Sequence, residues 1–162
     1  MSFRVTGLEP AQFRHYFKMS DAELREAGAR RVFAESPTLP CRVSMRHARP
    51  GEELVLVNYE HLPVNSPYRA RHAIFVRKAA AQAFDAVDTI PEVMTLQARV
   101  LAARAFDADG MLIDAEIFSG NDAAEIFERL LANPRAEYLQ VHNARHGCYS
   151  GRVDRAAGDY II

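Results

Sequence analysis

Apolar runs in this chain are short, and their spacing switches between the two-residue period of strands and the longer period of helices. Phe3 to Thr6 reads as an opening strand. Ser20 and Glu23 make a capping box: the serine side chain can accept from an amide three residues on, and the glutamate can reach back. The helix they start runs to about Ala27, where Gly28 supplies a left-handed stop. Arg30 to Glu35 and Cys41 to Met45 predict short strands. Glu53 to Tyr59 predicts a longer strand, apolar on both faces until its end. His72 to Arg77 predicts another, with His72, Ile74 and Val76 on one face. The alanine-rich stretch Ala79 to Asp88 predicts a helix, whereas Pro91 to Leu96 fits no single element.

The clearest signal lies in the second half. Arg99 to Phe106 and Met111 to Phe118 are β-type runs around Asp107-Ala-Asp-Gly110, a hairpin pattern. Asn121 or Asp122 can cap a helix over 122–132, whose stripe is Ala123, Ile126, Phe127, Leu130 and Leu131. Asn133-Pro134 ends it. Tyr138 to Asn143 and Cys148 to Val153 predict two more strands, with fraying from about Ala156. Many strands and two or three helices, without regular alternation, predict an α+β fold: a mainly antiparallel sheet with helices packed on it. A small, partly closed β-barrel with helices is the alternative. The proline-punctuated stretches at Pro37, Pro40 and Pro50 and at Pro63 and Pro67 read as ordered loops, so residues 1–162 are expected to form a single domain.

Composition narrows the function classes. A hydrophobic fraction of 49% and a charged fraction of 25% are those of an ordinary globular protein. The net charge of −1 carries no nucleic-acid footprint, and no run approaches the roughly 20 apolar residues of a membrane span. The N-terminus lacks the apolar core of a signal peptide, so a cytoplasmic location is expected, with Cys41 and Cys148 as free thiols. Only Lys18 and Lys78 are lysines; the other basic residues are arginines, whose planar forks suit carboxylates and phosphates.

No phosphate loop, zinc-protease motif or nucleophile elbow is present, and no motif assigns a cofactor, a metal or an oligomeric state. Two polar segments stand out instead. One runs from Asn58-Tyr-Glu-His61 through Ser66-Pro-Tyr-Arg69 to Arg71-His72. The other runs from His142-Asn143 through Gly147-Cys-Tyr149 to Arg152. Each begins where an apolar strand ends, which is where a rigid scaffold presents reactive groups. His61, His72 and His142 are the acid–base candidates, and Cys148 is the candidate nucleophile. Arg42, Tyr59, Tyr68, Arg69, Asn143, Tyr149 and Arg152 are the candidate ligand-binding groups. Set against these roles is a structural one, in which strand-end histidines and a small buried cysteine merely knit loops together.

Cys41-Arg-Val-Ser44, Asn58-Tyr-Glu-His61, Ser66-Pro-Tyr-Arg69, His72-Ala-Ile-Phe-Val-Arg77, His142-Asn-Ala, Gly147-Cys-Tyr149 and Arg152-Val153 together resemble the pattern of domain of unknown function family 1203. The resemblance covers nearly the whole chain in the same order. It implies a bacterial stand-alone domain and brings no activity with it. Arg145 and His146 lie outside the quoted motifs, and His146 is not counted among the site residues. Two functions fit the residues: a binding or catalytic site for a small anionic ligand, and a non-enzymatic protein-interaction or assembly module. Convergence of the two polar segments on one concavity is the feature that separates them.

Overall fold

The computed structural model describes residues 1–96 and 99–157. Its strands are β1 (Phe3–Thr6), β2 (Arg30–Phe33), β3 (Glu53–Leu62), β4 (Ala70–Arg77), β5 (Asp85–Val87), β6 (Val100–Phe106), β7 (Leu112–Ser119), β8 (Tyr138–Asn143) and β9 (Tyr149–Arg155). Its helices are α1 (Asp21–Glu26), α2 (Glu92–Thr95) and α3 (Ala123–Leu131), with short 3-10 turns at Pro10–Gln12, Arg14–Lys18 and Gly120–Asp122. One antiparallel sheet has the order β5-β1-β9-β8-β6-β7, and a second has the order β2-β3-β4. The fold is α+β, and no closed barrel forms among the described residues. No helix among them is long and apolar enough to cross a membrane.

The large sheet gathers one core on the face covered by α3. Alternation along β6 and β8 sends Leu101, Ala103, Ala105, Leu139 and Val141 to that face, where they meet Phe127, Leu130 and Leu131 of the helix. Ile126 packs at the margin. Asp122 holds the N-cap position without a side-chain cap bond; the 3-10 turn before it leads the chain into the helix. The second core lies on the small sheet, where Val55, Val57, Ile74 and Val76 meet Phe13, Leu24, Cys41 and Val43. Tyr149 of β9 also enters this core, so it joins the two sheets. The capping box forms as expected, with Glu23 N–H donating to Ser20 Oγ at 3.2 Å and Ser20 N–H to Glu23 Oε2 at 2.6 Å. Gly28 takes φ +72° just past α1.

Four expectations change. Cys41 to Met45 is not a strand: it makes isolated bridges, Pro40 to His47 and Cys41 to Phe75, and Met45 sits at φ +52°. The segment is nevertheless buried, because its residues fill the space between the sheets instead of extending one of them. Ala79 to Asp88 is not a helix. Its C-terminal half becomes β5, which pairs with the free edge of β1 through Arg4↔Val87 and Thr6↔Asp85. Alanine's helix propensity is a fraction of a kilocalorie per residue, and an unpaired strand edge outweighs it. The strand expected over Arg30 to Glu35 stops at Phe33. β3 runs on past Tyr59 through a register shift to Leu62, which places His61 on a strand and not in a loop. The fraying expected from Ala156 falls largely on residues 158–162, outside the described residues.

Leu130 is fully buried under the sheet, so Leu130→Ala is expected to cost about 2–5 kcal/mol in a denaturant melt. A loss below about 0.5 kcal/mol is the scale of an exposed site and would contradict this packing.

Candidate functional site

The two polar segments meet at a cavity of about 470 Å³. Its polar lining is Arg42, His72, Arg99, Asn143, His146, Cys148 and Thr38; its apolar wall is Leu39, Pro40, Leu56, Ala73 and Phe75. Among the described residues no carboxylate lines it. Each chain segment arrives for a local reason. Arg42 N–H donates to Phe75 O at 3.0 Å, which pins the irregular 40–42 segment to β4. Gly147, at φ +75°, allows the tight turn between β8 and β9. That turn is closed by Gly147 N–H to Asn143 O at 2.7 Å and Asn143 N–H to Cys148 O at 2.9 Å. Asn143 and Cys148 therefore reach the cavity from the two sides of one turn.

Arg42 is the most constrained group. Its side chain is among the largest fully buried ones in the protein. Nε donates to Tyr149 O at 2.6 Å, Nη1 to Pro40 O at 2.5 Å and Nη2 to Cys148 Sγ at 3.1 Å. No ion pair involves it among the described residues. Burial pushes the guanidinium below its ordinary range, and the sulfurs of Cys148 and Cys41 oppose that shift. A buried cation is costly unless charge or strong dipoles surround it. Here two carbonyl dipoles and a polarisable sulfur supply that surrounding.

Arg99 brings a second guanidinium to the same cavity. Its Nη2 donates to His47 Nε2 at 3.0 Å, and His47 Nδ1 donates to Glu92 Oε1 at 3.0 Å. Burial, with the Arg99 charge added, lowers the His47 imidazole against the pull of Glu92. Neutral His47 thus accepts from the arginine and donates to the carboxylate. The relay holds one arm of Arg99 while its buried Nε has no hydrogen-bond partner among the described residues. A neighbouring depression shares Arg99, Asn143 and His146 with the cavity and adds Arg145, which extends the cationic surface outward.

His61, His142 and Tyr149 form a distinct group beside the cavity. The His61 ring stacks on Tyr149 at 5.4 Å and meets the His142 ring edge-on at 5.0 Å. His61 Nδ1 donates to Gln140 Oε1 at 2.8 Å, and Gln140 Nε2 donates to His61 O at 2.6 Å. His142 Nδ1 donates to Gly147 O at 3.1 Å, and its buried Nε2 has no partner among the described residues. Burial pushes His142 down to about 3, with the Arg104 charge adding to the effect. Burial also pushes the Tyr149 hydroxyl up, and His61 is lowered by burial against its bond to Gln140. The segment 147–149 connects the two groups: Cys148 faces the cavity and Tyr149 faces the imidazoles.

The remaining candidates sit elsewhere. Tyr68 is exposed and its ring meets Phe106 at 6.4 Å; Arg69 is exposed and donates to Glu60 at 2.5 Å. Tyr59 packs on Phe13, and Arg152 lies over the Tyr138 ring at 4.0 Å while pairing with Asp154. His72, with Nδ1 donating to Ala73 O at 3.2 Å, is the member of the first polar segment that lines the cavity. His146 lines it too. Arg99 and the apolar wall had no signal in the sequence, because an arginine at the start of an apolar strand resembles any solvated strand end. Among the described residues no cluster of His, Cys, Asp or Glu is placed to hold a metal ion.

The His142 environment sets a pH dependence. Inside the fold its imidazole stays neutral until about pH 3, whereas in the unfolded chain it takes a proton near 6.5. Between those values the unfolded state binds more protons. The stability from neutral His142 is therefore full above about pH 6.5 and is lost as pH falls toward 3. Denaturant melts at stepped pH should show His142→Phe losing stability less steeply than the wild type, by up to about 1.4 kcal/mol per pH unit. Parallel slopes would mean that the buried imidazole accepts the proton without opening the fold.

No curated protein and no solved structure matches this chain. A family model described as "Protein of unknown function (DUF1203)" matches residues 38–155. The match begins at Thr38, the first residue of the cavity wall, and takes in every residue that lines the cavity. The cavity is thus built wholly from the part of the chain that the family model describes, and the chain belongs to the DUF1203 family.

Proposed function

We propose that the cavity binds a small organic acid, with its anionic group at the guanidinium pair and its apolar body against Leu39, Leu56 and Phe75. The observation that carries this reading is the charge inventory of the lining: Arg42 and Arg99 face one space that no carboxylate among the described residues shares. Arg99 Nε has a hydrogen to donate and no acceptor within the protein among the described residues. A planar guanidinium is suited to a carboxylate or a phosphate ester. Asn143 and His72 add polar groups at the rim, and a volume near 470 Å³ is that of a small-molecule site. Tyr68, Arg69, Tyr59 and Arg152 are left out of this site because each is engaged elsewhere. In the alternative, an assembly module, the same polar residues would close on each other and leave no space; an open cavity favours the ligand.

Thermal-shift measurements with hexanoate, benzoate and phenyl phosphate test the proposal, each beside its uncharged amide or alcohol counterpart. Ligands that bind only the folded state raise its melting point by mass action. The acids should raise the midpoint and the neutral counterparts should not, and Arg99→Met should remove the shift while the unliganded midpoint stays close to that of the wild type. Equal shifts from acids and neutral compounds, or an undiminished shift in Arg99→Met, overturn it.

A further inference from the structure

We infer that Cys148 is a peroxide-reducing thiol whose substrate is an organic hydroperoxide held in the same cavity. This rests on the reading of that cavity as a ligand site. The sulfur is half-buried on the cavity wall and accepts from Arg42 Nη2 at 3.1 Å. Two other arms of that guanidinium are tied to the carbonyls of Tyr149 and Pro40, so the cation is held at the sulfur and cannot swing to solvent. Positive charge fixed beside a cysteine is the usual setting of a reactive one.

The partners of the imidazoles decide between reaction classes. Nδ1 of His72 donates to Ala73 O, that of His142 to Gly147 O and that of His61 to Gln140. No hydrogen bond joins an imidazole to the sulfur among the described residues, so the Cys–His pair that acyl transfer uses for its leaving group is not assembled. Reduction of a peroxide needs less: a sulfur nucleophile, a weak O–O bond and stabilisation of charge on the departing oxygen. Arg42 serves the sulfur. Arg99 lines the same cavity and is placed for the departing oxygen. Leu39, Leu56 and Phe75 favour an organic substituent over hydrogen peroxide itself.

In the reaction the sulfur attacks the terminal oxygen of R–O–O–H. The S–O bond forms, the O–O bond breaks, and the electron pair leaves with RO⁻. That oxygen takes the proton given up by the thiol, which yields ROH and Cys148 sulfenic acid. Cys41 is fully buried, with its sulfur bound by Arg77 N–H at 3.4 Å, and does not line the cavity. The reductant is therefore an external small thiol. One molecule displaces water to give a mixed disulfide; a second restores the Cys148 thiol and releases the symmetrical disulfide.

The reduced full-length chain is exposed to cumene hydroperoxide or hydrogen peroxide with dimedone present, and the adduct is located by mass spectrometry. Peroxide consumption is followed with dithiothreitol as reductant. Cys148 should carry the adduct and Cys41 should not, and cumene hydroperoxide should be consumed faster than hydrogen peroxide. Cys148→Ser should abolish consumption; Arg99→Met should slow it by about tenfold or more, as loss of a charge-stabilising donor does, with an unchanged melting point. Labelling of Cys148 no faster than that of free glutathione, or consumption that survives Cys148→Ser, overturns the inference. The acid-induced thermal shift is measured in Cys148→Ser as well. A retained shift without peroxide chemistry defeats this inference and leaves the binding site standing, whereas loss of the shift in the wild type defeats both.

Discussion

Arg42 holds its guanidinium inside the protein, and the arrangement around it follows from the cost of doing so. A buried cation must be surrounded by groups that replace water, and three are recruited from different parts of the chain: Pro40 O, Tyr149 O and Cys148 Sγ. Satisfying that one fork ties the irregular segment before β3 to the start of β9. Main-chain bonds complete the tie, with Leu8 N–H donating to Arg42 O at 2.8 Å and Arg42 N–H to Phe75 O. The wall of the cavity, the position of the sulfur and the seam between the sheets all depend on this side chain being where it is. An uncharged replacement would relieve the burial cost but would leave two carbonyls without donors.

β8 carries a second constraint of the same kind. It lies between β6 and β9 in the sheet, with α3 over one face and β3 near the other, so nearly all of it is buried. Leu139 and Val141 take the α3 side, which leaves Gln140 and His142 to face inward on the other. Polar groups so placed must be satisfied by the protein. Gln140 does this with both ends of its amide against His61, and His142 does it at Nδ1 alone, with the Gly147 carbonyl. His61 is therefore absorbed in holding β3 against β8, a structural task. The residues one step further along the turn, Asn143 and Cys148, line the cavity instead.

The cationic character of the cavity has a related origin. Several arginines elsewhere in the protein end on carboxylates: Arg31 on Glu53, Arg77 on Glu52, Arg69 on Glu60, Arg152 on Asp154. Arg42 does not, and Arg99 reaches Glu92 only through neutral His47. Against a net charge of −1 over the whole chain, the positive potential at this point is a matter of placement and not of composition.

Much of the scaffold was legible in the chain because its signals are local. The period-two runs of β3, β4, β6, β7 and β8, the hairpin at Asp107 to Gly110, the capping box at Ser20 and the stripe of α3 each depend on neighbours within a few residues. Local sterics and burial preference settle them wherever the rest of the protein lies. The two polar segments were also visible, because His, Tyr, Arg and Cys crowd the ends of apolar strands there. What the sequence alone did not decide was set by contacts between distant residues. Ala79 to Asp88 became in part an edge strand because β1 had an edge to fill, and Cys41 to Met45 lost its strand to the space between two sheets. Within the polar segments, only tertiary packing separated His72 and Cys148, which face the cavity, from Tyr68 and Arg69, which do not. It also brought in Arg99 and turned Arg42 inward. A side chain's period gives its face on a strand, but which surface covers that face, and whether a carboxylate lies there, is fixed only when residues a hundred positions apart are brought together.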